Sequence, residues 1–151
     1  MKKSAEEYKS STESFLNLVN TLNPNDLDIS DSEGWSPRQV IHHMADSETQ
    51  SYARLRKLIA EPGSVIQGYD EGKWAENPTL GYQELPIEDS VAVIKAVRKS
   101  SYELIKRLSD EQLLNKCMHS ESGEYSVKNW LDTYTNHPTD HMNQIKNLLN
   151  K

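Results

Sequence analysis

The chain has 151 residues, of which 35% are hydrophobic and 26% are charged. This length and balance predict one globular domain, residues 1–151, that can bury a sizeable apolar core. The net charge of −6 argues against a nucleic-acid partner and against an anionic membrane surface, because both attract basic proteins.

The sequence also argues against a membrane-spanning or secreted protein. No stretch approaches the run of about 20 apolar residues that a spanning helix needs. The N-terminal sequence MKKSAEEYKSS lacks the apolar segment of a secretory signal. The single cysteine, Cys117, has no partner for an internal disulfide, and we interpret it as structural or incidental. We therefore expect a cytoplasmic protein with no membrane partner.

Two long helices are predicted in the first sixty residues. The first covers residues 4–22, where apolar side chains recur at helical spacing before an Asn-Pro turn. The second follows Gly-Trp, because Ser36 can cap a helix and Pro37 suits its first position. It continues to about Ala60, before a Pro-Gly turn.

A long loop is predicted next, over residues 61–86. A connection of this length in a small domain is unusual and often functional. Its aromatic side chains, which include Tyr69 and Trp74, are costly to leave in water, so we expect the loop to pack over the domain.

The rest of the chain predicts two more long helices. One covers residues 87–108, and a short helix over 109–115 opens with a capping-box sequence, Ser-Asp-Glu-Gln. Residues 116–125 read as a second loop, and the last helix covers 126–149. Four long helices with one long connection indicate an all-α fold, a four-helix bundle, in which strands are possible only as short pieces of the loops.

Helical phase distinguishes among the histidines. In the second helix, His43 lies about 110° from the centre of the apolar stripe, at its edge, whereas His42 lies about 150° away and is expected in solvent. In the last helix, within the sequence NHPTDH, His141 lies about 50° and His137 about 90° from the stripe centre. Imidazoles one turn apart can share an ion, and bundle-core metal sites use side chains from facing helices.

Two other interpretations of these histidines stay open. Each of them can be an ordinary hydrogen-bonded residue at the edge of the core. Pro138 either kinks the last helix or begins it anew, which would turn His137 towards the bundle interior or away from it. If all three bind one ion, coordination positions remain open, which is typical of a catalytic centre.

The chain contains the stretches GWSPRQVIHHMADSE, QSYARLRKLIAEPGSVIQGYDEGKWAE and YSVKNWLDTYTNHPTDHMNQI. Together they resemble the YfiT branch of the DinB-like family, over roughly residues 34–149. This resemblance implies a four-helix bundle, often a homodimer, with a divalent metal ion on His43, His137 and His141. The chain departs from the family pattern at Glu48 and Asp140, where relatives carry histidine.

The resemblance also implies an activity. Family members include thiol S-transferases that use bacillithiol and proteins described as metal-dependent hydrolases. We therefore expect an enzyme that conjugates a low-molecular-weight thiol to an electrophilic small molecule through one divalent ion, zinc or nickel. The alternatives are hydrolysis at the same ion and a non-catalytic bundle, with or without metal.

Other side chains are candidates for supporting roles. Glu48 is a candidate general base, although it lies about 140° around the helix from His43. Arg54 can hold an anionic group of a thiol cosubstrate, with an ordinary salt bridge to Glu48 or Asp46 as the alternative. Asp46 is expected to orient a ligand or to cap a helix, with ordinary solvation at the surface as the alternative. Aromatic residues of the long loop, Tyr69 and Trp74, are candidates for the mouth of the binding pocket.

Overall fold

The structure, a computed structural model, describes residues 2–31 and 34–150. Within these residues the α-helices are α1 (Lys2–Thr21), α2 (Pro37–Ala60), α3 (Glu71–Glu76), α4 (Glu88–Ile105) and α5 (Val127–Leu149). The four long helices are those predicted from sequence, and the predicted four-helix bundle is confirmed. None of the described helices is long and apolar enough to cross a membrane.

The long helices pack so that the two histidine-bearing helices are neighbours. Helix α1 packs mainly against α5 and α4, and α2 packs against the same two helices. The apolar stripes meet in two clusters of buried side chains. One contains Tyr8, Leu55, Leu58, Ile105 and Trp130, and the other contains Phe15, Ile41, Met44, Ile94 and Ile145.

The predicted starts of α2 and α5 are confirmed in detail, whereas the short helix predicted over 109–115 is only a 3₁₀ turn, Gln112–Leu114. The Ser36 hydroxyl accepts from the backbone N–H of Gln39, whose side-chain oxygen accepts from the backbone N–H of Ser36. Such reciprocal bonds satisfy backbone donors that the first turn leaves free. Helix α5 begins with the same arrangement between Ser126 and Asn129. These caps set where each histidine-bearing helix begins.

The predicted loops contain a small sheet, made of short strands of the kind that the sequence left possible there. Its strands are β1 (Val65–Ile66), β2 (Lys116–His119) and β3 (Gly123–Ser126), in the order β1-β2-β3. β1 runs parallel to β2, and β2 runs antiparallel to β3. In β2, exposed and buried side chains alternate, but over only four residues. So short a pattern does not stand out from loop sequence.

The long connection between α2 and α4 is also more regular than predicted. It contains β1, the short helix α3 and a 3₁₀ turn, Pro78–Leu80. The Asp70 carboxylate accepts from the backbone N–H of Lys73 and so caps α3. Beyond the turn, buried Tyr82 donates its hydroxyl to Asp46 on α2. The connection is therefore anchored along the side of α2.

Candidate metal centre

The three predicted ligands converge between two neighbouring helices. His43 lies on α2 and is only 1% exposed, while His137 and His141 lie one turn apart on α5. The Nε2 atom of His137 is 3.3 Å from that of His43 and 3.0 Å from that of His141. One ring nitrogen from each histidine falls within 4.8 Å of the others. The structure thus brings together all three residues selected by helical phase.

Helix α5 is continuous through Pro138, which decides between the two predicted effects of that proline. The α-helical backbone extends from Val127 to Leu149 with Pro138 inside it. The helix therefore neither ends nor restarts at residue 138, and His137 stays one turn before His141. Its ring faces the cluster rather than turning away.

Burial favours the neutral form of all three imidazoles. Burial lowers the pKa of His43 to about 3, and the neighbouring His141 contributes to this lowering. Burial also lowers the pKa of His137 to about 2, again with a contribution from His141. For His141, burial lowers the pKa against an opposing hydrogen bond to Gln144. Neutral imidazole is the form that binds metal ions.

The donor set fits a divalent cation. His141 donates its Nδ1–H to the Gln144 side-chain oxygen at 2.8 Å, because an amide oxygen can only accept. The Nε2 lone pair of His141 therefore faces the other two rings. A single N–H cannot satisfy three converging nitrogens, and the Nδ1 atoms of His43 and His137 have no hydrogen-bond partner among the described residues. A cation would use all three lone pairs at once.

A carboxylate that sequence reasoning missed lies beside the histidines. Glu71 is on α3, and its Oε2 atom is 3.8 Å from Nε2 of His43. The side chain is exposed, so its carboxylate can reach a ligand from solvent. The cap residue Asp70 signals a helix start here, but only the folded connection brings α3 to His43.

A cavity of about 340 Å³ opens next to the cluster. It is lined by residues of both helices, of the connection and of the β2–β3 turn, among them His137, Glu71, Arg54, Tyr69 and His119. Arg54 donates to the Tyr134 hydroxyl at 3.0 Å and to the Gln67 carbonyl at 3.2 Å. The alternative of a salt bridge to Glu48 or Asp46 is wrong, since Glu48 pairs elsewhere and Asp46 accepts from Tyr82.

The two predicted pocket aromatics differ in position. Tyr69 lines the cavity, whereas Trp74 packs against Tyr69 with ring centroids 4.6 Å apart and is not among the lining residues. Trp74 thus packs on Tyr69 without lining the cavity itself. His119, which sequence reasoning missed, accepts two backbone N–H groups of the β2–β3 turn at Nδ1, so its Nε2 carries the proton. The unpredicted hairpin is what brings His119 to the cavity.

Glu48 occupies a different place from the one its candidate role requires. It is fully buried, and its Oε1 atom is 2.6 Å from Nη1 of Arg98 on α4. Burial raises the pKa of Glu48, and the Arg98 guanidinium opposes that rise. Glu48 does not line the cavity. This placement argues against Glu48 as the general base and assigns it to the bundle interior.

The prediction that His42 is solvated is wrong. Its Nε2–H donates to the Leu85 carbonyl at 3.1 Å, and its Nδ1 accepts from the Ser90 hydroxyl at 2.8 Å. Burial lowers its pKa. The connection before α4 covers this face of α2, which helical phase within α2 could not reveal. Asp46, expected to orient a ligand or to cap a helix, instead accepts from Tyr82, and Cys117 is buried in β2.

Comparison with known proteins identifies the family of this chain. The DinB superfamily model matches residues 7–145. A protein of Oceanobacillus iheyensis named "Putative metal-dependent hydrolase" is 41% identical over 133 residues, which cover 87% of this chain and 76% of that protein. A Bacillus cereus protein of the same name is 32% identical over 120 residues, covering 78% and 68%.

A solved structure is similar over nearly the whole chain. YfiT from Bacillus subtilis, described as "a probable metal-dependent hydrolase with an unusual four-helix bundle topology", aligns with a TM-score of 0.89 at 25% sequence identity. The alignment covers 99% of this chain and 85% of YfiT. Together with the family match, this likeness establishes that the chain belongs to the DinB superfamily.

Proposed function

We propose that the protein is a metal-dependent S-transferase that joins a low-molecular-weight thiol of the bacillithiol kind to an electrophilic small molecule. His43, His137 and His141 would hold one divalent ion, zinc or nickel. When bound, such an ion lowers the pKa of a coordinated thiol or water and so supplies a nucleophile at neutral pH. The observation that carries the proposal is the cavity whose wall contains both Arg54 and His137.

Arg54 would hold the anionic part of the thiol cosubstrate. Two of its five N–H groups are used by Tyr134 and Gln67, both uncharged partners. No ion pair neutralises its charge among the described residues, so a carboxylate entering the cavity would meet an available guanidinium. Tyr69 would form part of the wall between this position and the histidines.

Glu71 would accept the proton that the thiol releases. Its exposed carboxylate lies 3.8 Å from His43, on the same cavity. The sulfur atom then forms a bond to the electrophilic carbon, whose leaving group departs with its electron pair. No cysteine lines the cavity, so the reacting sulfur belongs to the cosubstrate.

Hydrolysis is the second candidate, and the names of the relatives favour it. The same histidines and Glu71 would then serve a water molecule in place of the thiol. The two candidates differ in one requirement. Thiol transfer depends on the added thiol, whereas hydrolysis of an ester or amide proceeds without it.

A matched pair of arginine variants tests the thiol-transfer proposal. Zinc-loaded protein is assayed with a chloronitroaromatic electrophile and two thiols, one that carries a carboxylate and one that is uncharged. We expect Arg54→Gln to raise KM for the anionic thiol roughly tenfold or more, because one charge-assisted hydrogen bond is lost. KM for the uncharged thiol should stay nearly unchanged.

Arg56→Gln is the control, because Arg56 lies on the same helix but contacts Tyr52 and Ser100 outside the cavity. Equal KM values for the anionic thiol in Arg54→Gln and wild type would show that Arg54 does not bind the thiol. Release of product from an ester with no thiol present would favour the hydrolase. Zinc-loaded protein with neither activity would leave a metal-binding bundle without catalysis.

A further inference from the structure

Pro138 lies inside α5, between His137 and His141, and removes one hydrogen bond from that helix. Proline has no backbone N–H, so the carbonyl of Tyr134, one turn earlier, loses its helical donor. The proline ring also disfavours helical geometry for His137, the residue directly before it. Helix α5 nevertheless runs without a break from Val127 to Leu149. Another group therefore has to satisfy this buried carbonyl.

That group is Arg98 of α4. Its Nη2 atom donates to the Tyr134 carbonyl oxygen at 2.9 Å, and the side chain is 1% exposed. Because residue 138 offers no N–H, the regular helical donor for this carbonyl is missing. A hydrogen bond from a charged donor is stronger than the helical hydrogen bond that it replaces.

The guanidinium of Arg98 is itself held from several sides. Glu48 accepts from Nη1 at 2.6 Å, and the Thr12 hydroxyl accepts from Nε at 2.5 Å. The centroid of the Tyr8 ring lies 3.8 Å from the guanidinium carbon. One side chain thus joins α1, α2 and α5 to α4, and its hydrogen bond to the helix that carries two ligand histidines goes to the carbonyl left free by Pro138.

We propose that Arg98 is a positioning residue of the metal centre. By replacing the hydrogen bond that Pro138 cannot make, it keeps α5 helical across residues 134–141 and holds His137 and His141 one turn apart. Glu48 orients the guanidinium for this bond. The inference rests on the metal-binding part of the proposed function and is independent of the reaction catalysed.

A double-mutant cycle with Pro138→Ala tests the proposal, because alanine restores the missing N–H. Arg98→Met and Glu48→Gln are made together, so that no unpaired charge stays buried. The dissociation constant for Zn²⁺ is measured by competition with a chromophoric chelator, and the visible absorption of Co²⁺-loaded protein reports ligand geometry. When Pro138 is kept, this pair of changes leaves the Tyr134 carbonyl without a donor. We therefore expect Zn²⁺ binding to weaken roughly tenfold, which corresponds to one unsatisfied carbonyl, and the Co²⁺ spectrum to change.

When Pro138→Ala is also present, the same pair of changes is expected to weaken Zn²⁺ binding by less than about threefold, because the helix then supplies its own donor. Ile105→Ala, a cavity in the core on the same helix as Arg98, is the control for general destabilisation. It should lower the melting temperature without altering the Zn²⁺ dissociation constant. Equal loss with and without Pro138→Ala, or no loss in either background, overturns the proposal.

A milder variant covers the case in which the Met/Gln pair does not fold. Arg98→Lys keeps a cation beside Glu48 but lacks the planar fork that serves Glu48 and Tyr134 together. The same rescue by Pro138→Ala is expected, and its absence overturns the proposal. Wild-type protein that takes up no Zn²⁺ refutes the proposed metal centre itself, whereas normal wild-type uptake without rescue refutes only the role of Arg98.

Discussion

Glu71 is the residue on which proton transfer in the proposed reaction depends. Replacing it with glutamine keeps the shape and removes the base, so we expect kcat to fall about 10²-fold or more. The Zn²⁺ dissociation constant should change little, because Glu71 is not one of the three proposed ligands. Steady-state kinetics of the zinc-loaded variant checks this.

The control for Glu71 is Glu76→Gln, which removes the same charge from the other end of α3, where the side chain is exposed. A matching fall in both variants would show that α3 acts only through its net charge. Unchanged kcat in the Glu71 variant would contradict the proposed base.

The histidines predict how the metal-free protein responds to acid. His43 and His137 have pKa values lowered by burial to about 3 and about 2, against an ordinary value of 6.5. Below pH 6.5 the unfolded chain therefore binds protons that the folded chain does not. The free energy of unfolding is unaffected by these groups above pH 6.5 and falls on acidification, by about 1.4 kcal/mol per pH unit for each histidine.

Urea denaturation of chelator-treated protein between pH 6.5 and 5 measures that slope. In His137→Gln one proton-binding group is lost from the unfolded chain, so we expect the slope to decrease by about one proton relative to wild type. A slope that stays the same would mean that His137 protonates equally in the folded and unfolded states.

At the scale of elements, the start of α2 is the feature that sequence predicted most completely. Ser36→Ala removes the acceptor for the Gln39 N–H, so we expect the free energy of unfolding to fall by about 1 kcal/mol. Chemical denaturation measures it. Ser10→Ala, at an exposed position inside α1, is expected to change stability by no more than a few tenths of a kcal/mol.

The helices could be predicted because their signals are local. A cap such as Ser36, a proline at the first position and an apolar stripe all lie within one helix. The hairpin of β2 and β3 could not be predicted in this way. A strand of four residues contains too few alternations of apolar and polar side chains to stand out from a loop. The sheet also depends on pairing with β1, about fifty residues earlier in the chain. Helix α3 was missed for a related reason, since six residues are stable only where they pack on α2.

At the scale of the whole molecule, local sequence signals could place some residues of the candidate site, and only the folded structure places the others. Helical phase selected His43, His137 and His141, because the direction of each side chain is set within its own helix. It could not place His42, which the connection before α4 covers, or Glu48, whose partner Arg98 lies fifty residues away. A proline inside a helix leaves one carbonyl without its helical donor, but only the packing of four helices shows which side chain binds that carbonyl.

Because the proposed ligands come from two helices, metal binding should stabilise the bundle as a whole. At a free Zn²⁺ concentration of about 100 times the dissociation constant, linkage adds about 2.7 kcal/mol to the free energy of unfolding. For a domain of this size that corresponds to a rise in melting temperature of roughly 5–10 °C. We expect near-stoichiometric metal by elemental analysis, and loss of both metal and stabilisation in His43→Ala, His137→Ala and His141→Ala. His119→Ala, outside the cluster, should keep both, whereas stabilisation that survives in all three ligand variants would place the ion elsewhere.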